Sequence, residues 1–381
     1  MHHVGGTYTL VGPRVQLSGE ERPPLAPHHE IAPYNCVMQR PATLRDVAAL
    51  SMVHASTASR ALNPGTRSLV NSETVARVLR AAGELGYRPN SLARGLKTNR
   101  THTIGMLLPD LTNPLFPPIV RGIEDTLGPA DYTLILANTD NHDDRERQTL
   151  AKMMDRRVDA LILATAHRNA PMVDEVIAAG MPVVLVNRTV DDPYVAAVTG
   201  DDHAGIGLAV RHLIGLGHSK IAHVGGPQHL STGFTRYLSF LAWMRIEGLD
   251  ADPSLIVFAD WFHEDPGAKA FRTLLDERND FTAVIAGNDL IAIGCYDVLK
   301  DAGRAVAVDV SIVGYNDMPF ADRLDPPLTT IRIPHYQIGV RAAELILEIL
   351  EKPEGPNPGS IKLAPSLVVR QSTGPPPVRR P

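Results

Sequence analysis

The chain has 381 residues, enough for two or three domains, and its formal net charge is −5. Two cysteines, Cys36 and Cys295, are too few for a disulfide framework or a cysteine-based metal cluster, which favours a reducing cytoplasm. No stretch approaches the roughly 18 consecutive apolar residues of a membrane-spanning helix, so we expect no membrane partner.

Residues 1–40 are rich in proline, histidine and glycine and show little hydrophobic periodicity. They lack the basic-then-apolar order of a signal peptide, so we predict a disordered N-terminal extension. Met38 lies just before the first predicted helix, and a start codon assigned too early is an alternative explanation. The pairs His2–His3 and His28–His29 are interpreted as tail residues rather than metal ligands.

Residues 41–87 carry the pattern of three short helices. A tight turn at Ser51–Met52 separates the first two, which is typical of a helix-turn-helix unit. Asn71 is predicted to cap the third helix and Gly86 to end it. The apolar residues that define the three inner faces are Leu44, Val47 and Ala48, then Ala58, Ala61 and Leu62, and then Val75, Val78 and Leu79.

The charge distribution supports a nucleic-acid-binding role for this segment. Residues 41–100 contain nine Lys/Arg and three Asp/Glu, a net charge of +6, which leaves −11 for residues 101–381. A basic head on an acidic body is typical of a DNA-binding domain attached to a regulatory domain. The alternative is a solvated basic helical hairpin without a partner.

Residues 88–102 are interpreted as a linker. Pro89 prevents a simple continuation of the third helix, and 90–96 could form one or two helical turns, weakened by Gly95. So short a helix is marginal on its own and needs a partner or DNA to hold it.

Residues from 103 onward alternate strand-like apolar runs with helix-length segments. This alternation predicts parallel sheets covered on both faces by helices, and the number of strands suggests two sheets with a cleft between them. The predicted strands are Thr103–Leu108, Thr133–Ala137, Ala160–Ala164, Pro182–Val186, Ile221–Val224, Ala283–Ala286 and Val310–Val313, and the helices include Ile119–Leu127, Arg145–Arg156 and Asp202–Leu216.

Such a body is also compatible with an enzyme, but the catalytic and cofactor motifs are missing. There is no G-x-G-x-x-G opening a helix after a strand, no GK[ST] phosphate loop and no G-x-S-x-G elbow. His212, His218 and His223 lack the spacing of a zinc helix, and the acids near Asp143 fit a helix start. We therefore predict no enzymatic activity, no catalytic residues, no metal and no cofactor.

The order of several motifs resembles the LacI/GalR family of bacterial transcription regulators. The resemblance covers about residues 42–373 and implies a small all-α helix-turn-helix head, a hinge helix, and an α/β body with two subdomains like the type I periplasmic binding proteins. In that arrangement residues 103–374 bind an effector and dimerise, and 375–381 form a flexible tail. The motifs are TLRDVAAL, STASRALN, ELGYRPNSLARGL, TIGMLLPDLTNPLF, NTDNHDDRERQ, RRVDALIL, HLIGLGHSKIAHVGG, GNDLIAIG, SIVGYND and PPLTTI.

The resemblance also implies which head residues contact DNA. Ala55, Ser56 and Arg60 would face bases, and Thr57, Ser59 and Asn63 would face phosphates. Leu96 matches a leucine that unstacks a base step in the minor groove; the alternative is packing within its own subunit. Further DNA contacts are assigned to Thr43, Leu44, His54, Tyr87 and Asn90.

Two departures from the family pattern lie at the turn, where Met52 replaces the usual glycine and His54 the usual serine. Two additional residues lengthen the 64–69 loop, which leaves the backbone contacts there open.

A set of body residues matches the effector contacts of the family. Asn187 stands where the family often has aspartate, and Trp261 where some members stack a pyranose ring. Trp261 could instead be a core aromatic, and Asn316 could simply cap a turn. The full predicted set is Asn113, Phe116, Asn187, Arg188, Arg236, Trp261, Asn288 and Asn316.

The leading hypothesis is a sequence-specific transcriptional regulator, by resemblance a repressor, controlled by a sugar or related metabolite. It would act as a homodimer on a palindromic operator of about 16–20 base pairs, since one head makes too few base contacts. The C-terminal tail lacks a leucine heptad, which favours a dimer over a tetramer. The alternatives are a solute receptor that no longer recognises DNA and a sugar-modifying enzyme.

Overall fold

The computed structural model describes residues 40, 42–63, 65–88, 100–353, 355 and 359–377. These residues belong to two compact units, whose boundary falls between Pro89 and Asn90. The predicted extension up to residue 39, most of the predicted hinge with Asn90 and Leu96, and residues 378–381 lie outside the described residues. We call the first unit the head and the second unit the body.

The described residues of the head form three α-helices, α1 (Leu44–Leu50), α2 (Ala55–Leu62) and α3 (Ser72–Glu84), with a 3₁₀ turn at Arg67–Leu69. All three helices contact one another around one small core. This confirms the predicted helix-turn-helix pattern. The fully buried core side chains are small, as befits so short a unit: Val47, Ala48, Ala58, Ala61, Val78, Ala81 and Ala82.

The ends of the head helices are fixed by local hydrogen bonds. Thr43 and Asp46 form a capping box at the start of α1, and the Asn71 side chain accepts a hydrogen bond from the Thr74 N–H at 2.8 Å. After α3, Gly86 adopts φ 61° and the Tyr87 N–H donates to the carbonyl of residue 82 at 2.8 Å. This pattern is a Schellman motif, and it confirms that Gly86 ends the helix.

The prediction for one core residue of the head is wrong. Leu79 was expected on the inner face of α3, but it is 41% exposed. The buried face of α3 is formed by Val78, Ala81 and Ala82. Successive residues turn by about 100° around a helix, so Leu79 points well away from the direction of Val78.

The body contains two six-stranded sheets, one in each lobe. The first-lobe sheet has the order β11-β5-β4-β3-β1-β2, and all of its neighbouring strands are parallel. Its strands are β1 (Thr103–Leu108), β2 (Thr133–Asn138), β3 (Ala160–Leu163), β4 (Val183–Val186), β5 (Ala197–Gly200) and β11 (Ser360–Leu363).

The second-lobe sheet has the order β12-β10-β9-β8-β6-β7. Its pairs are parallel except for β12, which runs antiparallel to β10 at the edge. The strands are β6 (Ile221–Gly225), β7 (Ile256–Phe258), β8 (Ala283–Ala286), β9 (Ser311–Asn316), β10 (Thr329–Arg332) and β12 (Ser366–Val368).

Helices cover both faces of each sheet, and the central strands are buried apolar runs, as parallel sheets require. The first-lobe helices are α4 (Phe116–Leu127), α5 (Asp143–Asp155), α6 (Pro171–Ala178) and α11 (His335–Glu351). The second-lobe helices are α7 (Asp202–Gly215), α8 (Ser231–Ile246), α9 (Glu264–Glu277) and α10 (Asp289–Asp301).

The chain crosses between the lobes three times, after β5, after β10 and after β11. Since the strands of each sheet are parallel, the loops that follow them gather at one edge, where a cleft forms between the lobes. The seven predicted strands are all present, and their ends differ from the prediction by no more than three residues. The α/β fold and the two-sheet arrangement are therefore confirmed.

Candidate functional site

The second helix of the head begins with a histidine cap. The backbone N–H of Ser56 donates to Nδ1 of His54 at 3.3 Å, and the Ser56 hydroxyl lies 2.8 Å from the same nitrogen. His54 thus takes the capping role that a short hydroxyl residue usually fills. It remains exposed at the start of α2.

One face of α2 is polar and open to solvent. Ser56, Ser59, Arg60 and Asn63 are all exposed, and their spacing of three or four residues places them on the same side of the helix. The opposite side is buried at Ala58 and elsewhere in the head core. This exposed row is the surface that the sequence predicted would meet bases and phosphates.

Other predicted DNA contacts are less accessible. Ala55 and Thr57 are half-buried, and Leu44 and Tyr87 pack partly against the head core. Thr43 is half-buried as the cap of α1. These side chains can present an edge to a ligand, while most of their surface supports the head.

The turn before α2 is strained at one position and supported at its neighbour. Met52 has φ 51°, a left-handed conformation that favours glycine. Arg77 from α3 donates through Nε to the carbonyl of Ser51 at 2.9 Å, and the Ser51 hydroxyl donates to the carbonyl of Val47 at 2.6 Å. The turn therefore keeps its shape without glycine.

The lengthened loop after α2 folds back onto that helix. The Thr66 hydroxyl donates to the carbonyl of Arg60 at 3.1 Å, and Arg67 Nε donates to the carbonyl of Ala61 at 3.0 Å. Both bonds satisfy carbonyls near the C-terminal end of α2 that would otherwise lack helical partners.

The cleft of the body contains about 330 Å³ of non-protein space, part of which is open to solvent. Seven of the eight predicted ligand residues line it, contributed by both lobes. The lining consists of Asn113, Leu115, Phe116, Asn187, Arg188, Thr232, Arg236, Phe262, Asn288 and Asn316.

Arg236 is held rigidly in the second lobe. Its Nε donates to a carboxylate oxygen of Asp202 at 2.9 Å, and its Nη1 donates to the carbonyl of Gly287 at 2.7 Å. The guanidinium carbon lies 3.8 Å from the centre of the Tyr315 ring. A guanidinium fixed on three sides is already oriented before any ligand arrives.

Arg188, in the first lobe, is also buried but is held more loosely. Its Nη1 donates to the carbonyl of Thr165 at 3.4 Å. Burial lowers the pKa of Arg188 to about 10, opposed by the nearby Glu146 carboxyl. Burial also raises the pKa of Glu146, which accepts a hydrogen bond from the Thr165 hydroxyl. Arg188 therefore lies in a poorly solvated position with little neutralising charge.

Amide side chains provide most of the remaining polar lining. Asn288 caps α10 by accepting from the Ile291 N–H at 2.8 Å, and Asn113 accepts from the Leu115 N–H at 3.0 Å. Asn187 and Asn316 adopt φ of 65° and 110°. The side-chain oxygen of Asn316 is buried and has no hydrogen-bond partner among the described residues.

Trp261 does not line the cleft. It is 39% exposed and lies edge-on to His229, with ring centres 5.9 Å apart. The next residue, Phe262, provides the aromatic wall instead, and it fits closely over Gly226, where an added Cβ would lie 2.2 Å from the ring. Phe262 takes the place expected for Trp261.

Thr232 was also missed by the sequence reasoning. It lies in the first turn of α8, directly after the glycine-containing loop that leads out of β6. Small hydroxyl residues at such a helix start are a recognisable ligand signal. Phe262 carried the weaker signal of lying beside the predicted aromatic.

Polar contacts join the two lobes beside the cleft. The Thr189 N–H donates to the Ser231 hydroxyl at 2.8 Å, and the Arg168 N–H donates to the carbonyl of His229 at 3.0 Å. The Arg168 guanidinium also lies 3.5 Å from the centre of the Phe234 ring. The structure thus shows the lobes in mutual contact around the lined space.

The described part of the chain contains neither a candidate metal cluster nor a candidate membrane-spanning helix. No group of three or more His, Cys, Asp or Glu side chains there could hold a metal ion. Within the same residues, no helix combines the length and apolar character needed to cross a membrane.

Comparison with protein families assigns both units. Residues 43–90 match the family described as bacterial regulatory proteins, lacI family. Residues 101–364 match the family described as periplasmic binding proteins and sugar binding domain of LacI family.

Individual proteins agree with the family matches. The chain is 34% identical to the HTH-type transcriptional regulator RegA of Clostridium saccharobutylicum, over 87% of this chain and 99% of the relative. It is 34% identical to the ribose operon repressor of Escherichia coli K12, over 82% and 94%. A lac repressor dimer bound to operator and an anti-inducer superposes with a TM-score of 0.79 at 25% identity, over 88% and 100%. The chain therefore belongs to the LacI family of bacterial regulatory proteins.

Proposed function

We propose that this protein is a transcriptional repressor that binds operator DNA through α2 of the head and releases or retains it according to a small molecule in the body cleft. The observation that carries the proposal is the exposed row of Ser56, Ser59, Arg60 and Asn63 on the second helix of a basic helix-turn-helix unit. In this role, Arg60 reads a base edge and the hydroxyls position the helix on phosphates.

The cleft supplies the regulatory site. Its lining combines arginines, asparagines and two phenylalanine rings, the groups that bind a polyhydroxylated ring by hydrogen bonds and stacking. We assign effector contacts to the seven predicted lining residues together with Thr232 and Phe262. A ligand that contacts both lobes favours one arrangement of them, which is how its binding energy would reach the head.

The operator is proposed to be a near-palindrome read by a homodimer. One head of this size exposes only a few base-reading side chains, and two heads related by a two-fold axis double the contact. Such a regulator works where the chromosome is, so we place it in the cytoplasm. The proposed hinge contacts, Asn90 and Leu96, belong to the same interface.

The experiment that tests the function selects operators from random duplex DNA with the purified full chain at moderate salt. Enrichment of a palindrome is the expected result, and retention of no preferred sequence, with or without candidate ligands, would contradict it. Arg60→Ala should then weaken operator binding by about 5- to 150-fold, the cost of one good base contact.

A matched arginine in the body provides the control. Arg272 is exposed on α9 and pairs with Asp301 at 3.1 Å, so Arg272→Ala removes the same charge far along the chain from the head. It should leave operator binding within about twofold, because exposed ion pairs contribute little to stability. Equal losses in both variants would indicate a general charge effect rather than recognition by α2.

A further inference from the structure

We infer that the effector is a single-ring polyhydroxylated molecule carrying an anionic group, a carboxylate or a phosphate, rather than a neutral sugar. The inference rests on the proposed function, because it takes the cleft as the regulatory site. It concerns the chemical class of the ligand, which the lining side chains select.

The first argument is the charge of the lining. Two of the ten lining residues are arginines and none is an aspartate or glutamate. Asn187 and Asn316 present neutral amides, and Asn187 does so at a position where the sequence resemblance leads us to expect a carboxylate. A charged donor facing a water-poor cleft attracts an anion more strongly than the same donor in water.

The second argument is that the two arginines differ in how far they are neutralised. Arg236 already pairs with Asp202, whose side chain is 12% exposed and is not part of the lining. The Arg188 guanidinium makes no ion pair within 4 Å of a carboxylate in the described part of the chain, although the Glu146 carboxyl is near enough to oppose the lowering of its pKa, and the one hydrogen bond of the guanidinium there is 3.4 Å long. We therefore assign the ligand anion to Arg188, whose guanidinium could donate two parallel hydrogen bonds to it.

The third argument is the balance of donors and acceptors. Asn113 and Asn288 each use their side-chain oxygen to accept a backbone N–H, which leaves their NH₂ groups as donors toward the cleft. With the two arginines, four residues then offer donors. The unpaired oxygen of Asn316 is an acceptor for a ligand hydroxyl. A donor-rich site of this kind matches a ligand rich in acceptors, and carboxylate and phosphate oxygens are acceptors only.

The size of the cleft limits the rest of the ligand. The rings of Phe116 and Phe262 bound a space of about 330 Å³, which includes open solvent, so its enclosed part is small. A single ring with its substituent therefore matches this space better than a disaccharide does.

The test is titration calorimetry of the full chain with three probes at constant ionic strength: D-ribose, D-glucuronate and D-ribose 5-phosphate. We expect at least one anion to bind about tenfold or more tightly than D-ribose, a difference of roughly 1.4 kcal/mol. Preference for glucuronate identifies a carboxylate, and preference for the phosphate ester identifies a phosphate. Equal or tighter binding of D-ribose, or binding of neither anion, would overturn the inference.

Variants that change the charge of the lining make the test specific. Asn187→Asp adds a carboxylate to the lining, and Arg188→Gln removes a cation. Each variant should bind the preferred anion about tenfold or more weakly than the wild type does. Asn279→Asp makes the same change as the first variant on an exposed loop outside the lining and should have no effect. Equal weakening by Asn279→Asp and Asn187→Asp would show only a long-range charge effect.

Operator binding, measured in parallel, separates this inference from the proposed function. If D-ribose binds more tightly and changes the affinity for the selected operator, the regulator stands and the anionic effector is wrong. If an anion binds but no operator is selected, the ligand class stands and the DNA-binding function is wrong. Circular dichroism of each variant verifies that its fold is retained.

Discussion

Nε2 of His263 lies 3.1 Å from a carboxylate oxygen of Asp110, and this contact joins the second lobe to the first. Asp110 follows β1 and His263 precedes α9, and each lies within three residues of a residue that lines the cleft. Hydrogen bonds from the Thr112 hydroxyl and N–H and from His263 lower the pKa of Asp110, although partial burial opposes them. The Asp110 carboxylate is therefore a fixed acceptor at the edge of the cleft.

Asp110→Asn should loosen this contact between the lobes without unfolding either one. We expect backbone amides near residues 110–116 and 262–264 to exchange hydrogen up to about fivefold faster, since partly exposed pairs contribute at most about 1 kcal/mol. Hydrogen–deuterium exchange of the unliganded chain measures this effect. Asp301→Asn breaks an exposed pair within one lobe and should leave those amides unchanged.

The turn of the head offers a prediction about stability. Met52 adopts φ 51° and its side chain is 88% exposed, so it has little packing to lose. Met52→Gly should stabilise the head by about 0.5–1 kcal/mol, because glycine adopts left-handed φ without steric cost. Slower amide exchange at Val78 and Ala81 in the head core would report the gain.

Met52→Ala is the matched control for that change. Alanine removes the exposed side chain but keeps the Cβ atom that makes left-handed φ unfavourable, so its stability should stay close to that of the wild type. If alanine stabilised the head as much as glycine, the methionine side chain, rather than the backbone, would be the source of strain.

The comparison of Trp261 with Phe262 shows how far sequence could locate the site. The resemblance to the family motifs identified seven lining residues, and they meet in one cleft because strand ends in a parallel sheet bring their loops together. Residues 259–263 follow β7 without regular structure, so no periodicity indicates which aromatic turns inward. That choice depends on Gly226, 36 residues earlier in the chain, which leaves room for the Phe262 ring.

Dependence on distant neighbours also explains why the prediction for Leu79 was wrong and why some strands were not predicted. Leu79 is apolar and lies at helical spacing, yet the inner face of α3 is decided by which side α1 and α2 cover. The five strands that were not predicted, β5, β7, β10, β11 and β12, have only three or four residues each, too few to establish a period. Their place is fixed by neighbours in the sheet.

Buried His223 gives a prediction for pH. Its Nδ1–H donates to the carbonyl of Ile285 at 2.9 Å, its ring stacks on Phe240, and Nε2 has no partner among the described residues. Burial lowers the pKa of His223 from 6.5 to about 4, opposed by the bond to Ile285 and aided by the charge of Arg236. The unfolded chain therefore takes up a proton before the folded one does as pH falls.

Because the folded pKa is the lower one, this contribution to stability is complete above about pH 6.5 and is lost as pH falls toward about 4. It amounts to at most about 3 kcal/mol. His223→Phe keeps the stacked ring and removes the titration, so its stability should fall less steeply with acidification. Urea unfolding of both proteins between pH 4.5 and 7.5 measures the difference.

Other buried titratable groups do not affect the comparison of wild type with His223→Phe. Burial raises the pKa of Asp289 to about 7, so its contribution is lost as pH rises through the same window, and burial of His335 acts in the same direction as His223. Both groups are present in wild type and variant, and their contributions cancel in the difference. Parallel pH curves for the two proteins would show that His223 does not remain neutral when folded.

The body also holds the end of the predicted linker by hydrogen bonds. The carboxylate of Asp159, just before β3, accepts the N–H of Thr101 at 2.7 Å, the N–H of His102 at 2.8 Å and the Thr101 hydroxyl at 2.9 Å. His102 adopts φ 51°, so two successive N–H groups converge on one carboxylate. Asp159 thus fixes the point at which the chain enters the first lobe.

We expect Asp159 to act in coupling rather than in ligand binding. Asp159→Asn replaces one acceptor oxygen by an NH₂ group that faces a backbone donor, so the entry point loosens. The affinity of the variant's cleft for the probe that binds best in calorimetry should stay within about twofold of the wild-type value. The factor by which that probe changes operator affinity, about 5- to 150-fold in typical allosteric systems, should shrink toward one.

A graded variant makes this last expectation decisive. Thr101→Val removes the hydroxyl contacts to Asp159 and to the carbonyl of Arg157 but keeps both N–H bonds to Asp159, so its coupling factor should lie between those of wild type and Asp159→Asn. Operator titrations with and without the probe give the three values. A residue that only transmits the signal leaves ligand binding at the cleft intact. If Asp159→Asn lost ligand affinity by the same factor as it lost coupling, Asp159 would instead contribute to the stability of the first lobe.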